Sequence, residues 1–259
     1  MTRLRAANRF AAPRTPREVV DGVWLLGSAR VNFYALTEGR SVTLVDAGFY
    51  GHLRYLNEWL ELTGRRVGDV DAIVITHGHA DHLGFAGDFD RRGVPVYVHE
   101  DDVAISRTTR VRRPPARIRN QMWRPAALGL LAEAAVDSVF SQPPVSGARP
   151  FTDDERLDVP GRLRAAHVPG HSPGNCVLHH PSLDVLFTGD TLMTRDPMFG
   201  GEGPVVFSEH PAHDALCLSS LRLLRPFGSA ALLPAHGEPD PASGAVDVAI
   251  DHARIAHAR

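Results

Sequence analysis

The sequence contains no lysine, since all 28 of its basic residues are arginine. Catalysis through a lysine Schiff base and a phosphate-binding P-loop both need a lysine, so neither is available to this protein. Only two cysteines occur, Cys176 and Cys217. A disulfide framework is therefore not expected, and both thiols are predicted to be buried and reduced. A formal charge of −2 over 259 residues also argues against a surface made for nucleic acid.

Long apolar runs are missing as well. No window approaches the roughly eighteen apolar residues of a membrane-spanning helix, and the arginine-containing N-terminus lacks the apolar segment of a secretory signal. We therefore expect a cytoplasmic protein with no membrane partner. The pattern further predicts a flexible N-terminal arm over residues 1–18, followed by a single domain over residues 19–259.

Short runs rich in β-branched residues alternate with stretches of helical spacing, which predicts an α/β fold with a mostly buried sheet. Leu53, Leu56 and Leu60 illustrate the helical spacing, and Gly64 stands where a left-handed helix cap is expected. The pattern changes between about residues 104 and 150. An arginine-rich stretch interrupted by prolines leads into an apolar one there, which predicts a helical insertion.

Four polar side chains follow the apolar run AIVIT within six positions: His77, His79, Asp81 and His82. We expect the strand to end at Thr76, with these side chains on the loop and first helical turn beyond it. His77 and His79 can point the same way in an extended segment, while the other two turn to a neighbouring direction. A polar helix N-terminus is the alternative. So dense a group of histidines favours two adjacent metal ions instead.

Further ligand candidates are expected at the ends of other strands. His171 lies in HVPGHSPGN, where prolines and glycines make a stiff turn. Asp190 ends the apolar run VLFTGD, and His236 follows LLPA. Each is predicted to lie just beyond the carboxyl end of a strand, where open α/β sheets gather their ligand sites.

The motifs HGHADH, HVPGHSPG, LFTGDT and LLPAHG occur in this order, and the series resembles that of the metallo-β-lactamase-fold hydrolases. The resemblance implies an αββα sandwich of two mixed β-sheets flanked by helices, with two zinc ions at one rim. Asp46 in LVDAG matches the family's first motif, whose aspartate is expected to steady the metal loop from behind. The resemblance assigns the ligands as follows: His77, His79 and His171 to the first ion, Asp81, His82 and His236 to the second, and Asp190 to both.

The implied function is hydrolysis of an acyl bond, in a thioester or a lactone, by a hydroxide that bridges two zinc ions. Asp81 or Asp190 would pass the proton to the leaving group. Nitrogen and oxygen ligands also suit iron or manganese, so the sequence leaves the metal open. Four alternatives remain: a mononuclear iron enzyme similar to persulfide dioxygenases, a phosphodiesterase, a β-lactam hydrolase of the same superfamily, and a binding protein without catalytic activity.

The substrate class is less sharply defined. Class B β-lactamases generally lack the bridging aspartate that this sequence has. Glyoxalase II is similar across HVPGHSPG and LFTGDTL, but only a short tail follows His236 to match its thiol-binding region. Many acyl-homoserine lactonases place a tyrosine shortly after the bridging aspartate, and DTLMTRDPMFG contains none. We therefore expect a lactone or thioester hydrolase of another subgroup.

The insertion carries seven arginines and no acidic residue between Val103 and Ala132. It predicts either a solvated helical face or a lid that receives an anionic, carrier-bound acyl group such as a coenzyme A thioester. Met122, Trp123 and Met193 are candidates for the substrate pocket. We expect a small-molecule acyl substrate as the partner and no nucleic acid.

Overall fold

A computed structural model describes residues 14–108, 116–206 and 211–257. Its strands are β1 (Arg17–Val20), β2 (Val23–Gly27), β3 (Asn32–Glu38), β4 (Ser41–Val45), β5 (Val70–Val74), β6 (Val96–His99), β7 (Arg149–Phe151), β8 (Arg164–His167), β9 (Cys176–His180), β10 (Val185–Gly189), β11 (Met193–Arg195), β12 (Glu202–Val205) and β13 (Ala231–Pro234). Its helices are α1 (Leu53–Leu62), α2 (Ala80–Leu83), α3 (Ala86–Asp90), α4 (Val103–Ser106), α5 (Ala116–Arg119), α6 (Pro125–Val136), α7 (Asp214–Ser220) and α8 (Ala245–His257).

Two mixed sheets form the centre of the molecule. Strands β1 to β7 make the larger sheet in chain order. Its first four strands are antiparallel, whereas β4 to β7 run parallel. The smaller sheet has the order β13-β10-β9-β8, in which only the β13–β10 pair is parallel. Strands β11 and β12 form a separate antiparallel ribbon.

Three buried clusters show how the layers pack. Side chains of both sheets meet in the central cluster, where the ring of Tyr34 lies 5.2 Å from that of Phe187. The outer face of the larger sheet packs on α1 and α3 through residues such as Trp59 and Phe89. The smaller sheet packs on α8 through Ile250. This layering is the predicted αββα sandwich.

Successive side chains of β3 point to opposite faces of the sheet, so this one strand contributes to two clusters. Phe33 and Ala35 pack on the helical side, while Tyr34 and Leu36 pack against the smaller sheet. The helical spacing predicted after residue 52 is confirmed by α1. Gly64, just beyond the end of that helix, has a φ of +64°.

The described part of the insertion contains helices α5 and α6. Helix α6 is anchored by buried Glu133, whose carboxylate oxygens lie 3.2 Å from His52 Nε2 and 3.4 Å from Arg30 Nη1. Strand β7 begins at Arg149, close to the predicted end of the insertion, and Arg149 pairs with Tyr97 of the larger sheet. Residues 109–115, which carry three of its arginines, lie outside the described residues.

At the N-terminus, the end of the predicted arm overlaps the first strand. Arg17 and Glu18 belong to β1 and pair with β2, so the end of the predicted arm is part of the sheet. Residues 1–13 lie outside the described residues. Both cysteines are buried thiols outside any disulfide, as predicted. In the described part of the chain, every helix is too short or too polar to cross a bilayer.

Candidate metal centre

Three histidines form one group at the edge of the sandwich. Strand β5 ends at Val74, two residues earlier than predicted, and His77 and His79 lie in the loop after it. His171 comes from the loop between β8 and β9. His79 Nδ1 lies 2.9 Å from His77 Nε2 and 3.0 Å from His171 Nε2. Three imidazole nitrogens gathered in this way are a donor set that suits a zinc ion.

Asp81, His82 and His236 form a second group beside the first. Asp81 and His82 lie on α2, directly after the histidine loop, and His236 follows β13. His236 Nε2 is 3.5 Å from one oxygen of Asp81, and His82 Nε2 is 3.8 Å from the other. The ring centroids of His77 and His82 are 3.8 Å apart, so the two groups adjoin.

Asp190 follows β10 and lies between the two groups. Its Oδ2 faces the first group, at 3.3 Å from His171 Nε2 and 4.0 Å from His77 Nε2. Its Oδ1 faces the second group, at 3.3 Å from His236 Nε2 and 3.5 Å from His82 Nε2. Burial would raise the pKa of Asp190, but the surrounding imidazoles hold it well below its usual value. An ionised carboxylate therefore directs one oxygen to each group, as a ligand shared by two ions requires.

Two of the histidines are oriented by acceptors behind them. His82 Nδ1 donates to Asp46 Oδ2 at 2.9 Å, and His236 Nδ1 donates to the carbonyl oxygen of Arg30 at 2.6 Å. Carboxylate and carbonyl oxygens can only accept, so Nδ1 carries a proton and Nε2 is the nitrogen left to bind an ion. Asp46 thus contacts the histidine loop from behind, as expected from the sequence.

The backbone of Asp46 is unusual, with a φ of +62°. Positive φ is uncommon outside glycine, but aspartate tolerates it better than most residues because its short side chain bonds locally. Asp46 accepts hydrogen bonds from the backbone N of Thr76 at 2.8 Å and from its hydroxyl at 2.9 Å. These bonds fasten the end of β4 to the chain immediately before His77.

The two groups differ in their protonation. Burial, followed by the neighbouring imidazoles, holds the pKa of His77 well below its usual value, and burial lowers the pKa of His79. Burial acts in the same direction on His82 and His236, but nearby carboxylates outweigh it. They raise the pKa of His82 to about 10 and that of His236 to about 9. A cation entering the second group must therefore displace protons.

Two buried atoms of the centre form no hydrogen bond within the described part of the chain, namely His82 Nε2 and Asp190 Oδ1. Buried polar atoms without a partner are rare in proteins and call for an explanation such as an ion. These two atoms face each other at 3.5 Å. A divalent cation would satisfy both, so the residues present fit a metal.

Sequence reasoning missed Asp102, which supports both histidine-bearing loops. Its buried carboxylate accepts hydrogen bonds from Gly78 N, Ser172 Oγ and Gly174 N. No sequence signal separates this aspartate from its two acidic neighbours, because only the fold brings the loops to it.

A small pocket, with room for about one water molecule, opens beside the centre and is lined among others by Val168, His171, Asn175, Asp190, Thr191 and Cys217. The predicted pocket residues lie elsewhere. Met193 is fully buried under α6 with Ala127 and Met198, because the pairing of β11 with β12 turns it inward. Trp123 is 71% exposed, and Met122 is half-buried beside it.

A second buried group of acidic and histidine side chains has a different character. His52 Nε2 lies 3.2 Å from an oxygen of Glu133 and 3.2 Å from an oxygen of Asp137. Arg30 pairs with Glu133, and Arg54 pairs with Asp137. Two arginines thus balance the charge of two carboxylates, and the group ties α6 to the start of α1.

Comparison with known proteins agrees with this geometry. Residues 27–236 match the family described as the Metallo-beta-lactamase superfamily. The chain belongs to this superfamily. Together with the histidine and aspartate groups, membership points to a divalent metal site in a metallo-hydrolase.

Individual relatives are moderately similar. YflN, a probable metallo-hydrolase of Bacillus subtilis (strain 168), is 31% identical over 185 residues, which cover 68% of this chain and 66% of the relative. The acyl-coenzyme A thioesterase MBLAC2 of Gallus gallus is 28% identical over 171 residues, covering 63% and 58%. A metallo-beta-lactamase family protein of Thermus thermophilus has a TM-score of 0.67 and 26% identity, covering 93% of this chain and 80% of that one. The matched part of the chain thus spans about two thirds or less of the length of these two curated relatives.

Proposed function

We propose that this protein hydrolyses an acyl bond, in a thioester or a lactone, at a centre of two divalent ions, with zinc as the first candidate. Asp190 carries the proposal, because its two oxygens face two separate groups of ligand candidates. A site for one ion needs no carboxylate between two such groups. The first ion would be held by His77, His79 and His171, the second by Asp81, His82 and His236, and Asp190 would serve both.

Two ions held there would polarise the substrate carbonyl and lower the pKa of a bound water towards neutrality. The remaining steps belong to the protein. The side chain of Asp81 is 18% exposed and that of Asp190 is 8% exposed, so Asp81 is the more accessible carboxylate. Asp81 would accept the proton of the attacking water at a carboxylate oxygen and deliver it to the leaving group, while Asp190 would stay ionised.

The thioester arm of the proposal is favoured by the relative that bears the name of an acyl-coenzyme A thioesterase. Coenzyme A and phosphopantetheine carry phosphates, which arginine binds well. Arg107 and Arg119 of the insertion are exposed, and Arg124 is half-buried at the start of α6. These guanidinium groups are consistent with an anionic carrier, and zinc is consistent with the nitrogen and oxygen donor set.

The test combines metal analysis with turnover on one preparation. The purified protein is stripped with chelator, reloaded with zinc, and offered acyl-coenzyme A esters, acyl-homoserine lactones and a cephalosporin. Asp190→Asn keeps the shape of the side chain but removes its charge. It should bind at most one ion tightly and lose at least about a hundredfold in turnover, because metal polarisation contributes several kcal/mol to the transition state. Asp71→Asn, at an exposed position of β5, is the matched control.

Two results would overturn the proposal. One is unchanged binding of two ions by Asp190→Asn. The other is about one iron per chain with oxygen uptake and no hydrolysis, which would support a mononuclear iron enzyme instead. Preferential hydrolysis of the cephalosporin would reject the thioester and lactone assignment while leaving the metal centre in place.

A further inference from the structure

The loops that carry His79 and His171 are both bonded to one buried carboxylate. Asp102 closes the 3₁₀ turn Glu100–Asp102 after β6, and its side chain is 0% exposed. Its Oδ2 accepts from Gly78 N at 2.8 Å and from Ser172 Oγ at 2.7 Å. Its Oδ1 accepts from Gly174 N at 2.9 Å.

The donors stand directly beside metal-ligand candidates. Gly78 separates His77 from His79, and Ser172 follows His171. Asp102 thus connects two loops that are about ninety residues apart in sequence but meet at a His79–His171 nitrogen separation of 3.0 Å. A bond network of this kind limits how far the loops can move apart.

The loops are also shaped to approach this carboxylate closely. A Cβ atom at position 174 would lie 2.8 Å from the carboxylate carbon of Asp102, so a glycine is needed there. At position 78 a Cβ atom would lie 3.0 Å from a methyl group of Ile105, on the helix that Asp102 precedes. The close approach is therefore built into both loops.

The bonding of Asp102 is complete on both oxygens. In the described part of the chain, two backbone amides and a hydroxyl donate to it, and all three belong to the loops that carry the histidines.

We propose that Asp102 is a positioning residue that sets the separation of the two loops and thereby the affinity of the three-histidine group for its ion. The proposal rests on the two-ion centre proposed above. The second group is held differently, because Asp46 supports His82 and the Arg30 carbonyl supports His236.

The test measures zinc affinity by competition with a chromophoric chelator in two backgrounds. In His236→Ala the three-histidine group is intact, and in His171→Ala the second group is intact. Adding Asp102→Asn should weaken zinc binding by about 10- to 100-fold in the His236→Ala background, as loss of a ligand-supporting residue does. It should leave zinc binding in the His171→Ala background unchanged.

The control is Asp101→Asn, which makes the same charge change one residue away on a side chain that is 54% exposed. It should leave both affinities unchanged. Ser172→Ala removes one of the three hydrogen bonds and keeps the carboxylate, so it should give a smaller loss confined to the same background. If circular dichroism shows that Asp102→Asn does not fold, Ser172→Ala tests the proposal in its place.

The outcomes separate the two proposals. Failure of the unsubstituted protein to bind zinc would overturn the metal centre itself. Suppose instead that the unsubstituted protein binds two zinc ions. If Asp102→Asn and Ser172→Ala then weaken zinc binding equally in both backgrounds, or in neither, only the positioning role is overturned. A loss confined to the His236→Ala background supports it, since a general loss of stability would lower both affinities.

Discussion

Replacement of Asp46 by asparagine tests how the second ligand group is held. Asparagine also tolerates positive φ, so the backbone at +62° can persist and the change isolates the charge. The carboxylate is 3% exposed and accepts the Nδ1 proton of His82 at 2.9 Å. An amide nitrogen in that place would favour the other tautomer of His82, with the proton on Nε2, the nitrogen meant to bind the ion.

The size of the effect follows from this geometry. Residues that orient a metal-binding histidine typically contribute about 10- to 100-fold in metal affinity. At about 1.4 kcal/mol for each factor of ten, this corresponds to about 1.4–2.8 kcal/mol. We expect Asp46→Asn to lose this much affinity at the second site, because Asp46 bonds directly to His82 there. It reaches the three-histidine group only through Thr76, whose backbone N–H an asparagine oxygen can still accept.

Stepwise zinc titration by calorimetry measures both sites in one experiment. The expected trace for Asp46→Asn keeps the first site at wild-type affinity and shifts the second to weaker binding, with a matching fall in turnover. Asp71→Asn should give the wild-type trace. Equal weakening of both sites, or two unchanged sites, would refute the reasoning about tautomer control.

Two further predictions concern pH. Without an ion, the raised pKa values of His82 and His236, about 10 and about 9, keep both imidazoles protonated at pH 7.5, so zinc loading there should release about two protons. Calorimetry in buffers of different ionisation enthalpy counts them, and a count near zero would contradict the assignment. The pKa of Asp137 is lowered, because hydrogen bonds from His52 and Arg54 outweigh its burial. A depressed pKa stabilises the fold above the unfolded value of about 3.8, so Asp137→Asn should lower the urea unfolding free energy at pH 7 by about 1.5–3 kcal/mol, with the difference disappearing as the pH falls below 4. A constant difference across this pH range would be inconsistent with that carboxylate as its source.

Several site candidates can be proposed from the sequence because they follow the ends of apolar strands. His77 follows β5 of the larger sheet, whereas Asp190 and His236 follow the parallel strands β10 and β13 of the smaller sheet, and these ends meet at one rim of the sandwich. The fold class follows from the same alternation of apolar runs and helical spacing. Both depend on local pattern, which a single sequence displays directly.

Features that depend on long-range packing were not predictable in this way. Asp102 is one of three consecutive acidic residues, and only the meeting of two distant loops distinguishes it. Met193 looks like a pocket residue from its place shortly after Asp190, but the ribbon of β11 and β12 buries it under α6. Glu133 lies in an apolar helix that gives no sign of its pairing with His52.

Crystals grown with zinc and measured at the zinc absorption edge would test the central claim most directly. We predict two anomalous peaks, one contacting His77 Nε2, His79 Nδ1 and His171 Nε2, and one contacting Asp81, His82 Nε2 and His236 Nε2, with one oxygen of Asp190 on each. A single peak, or peaks remote from these atoms, would contradict the two-ion centre on which the proposed hydrolysis depends.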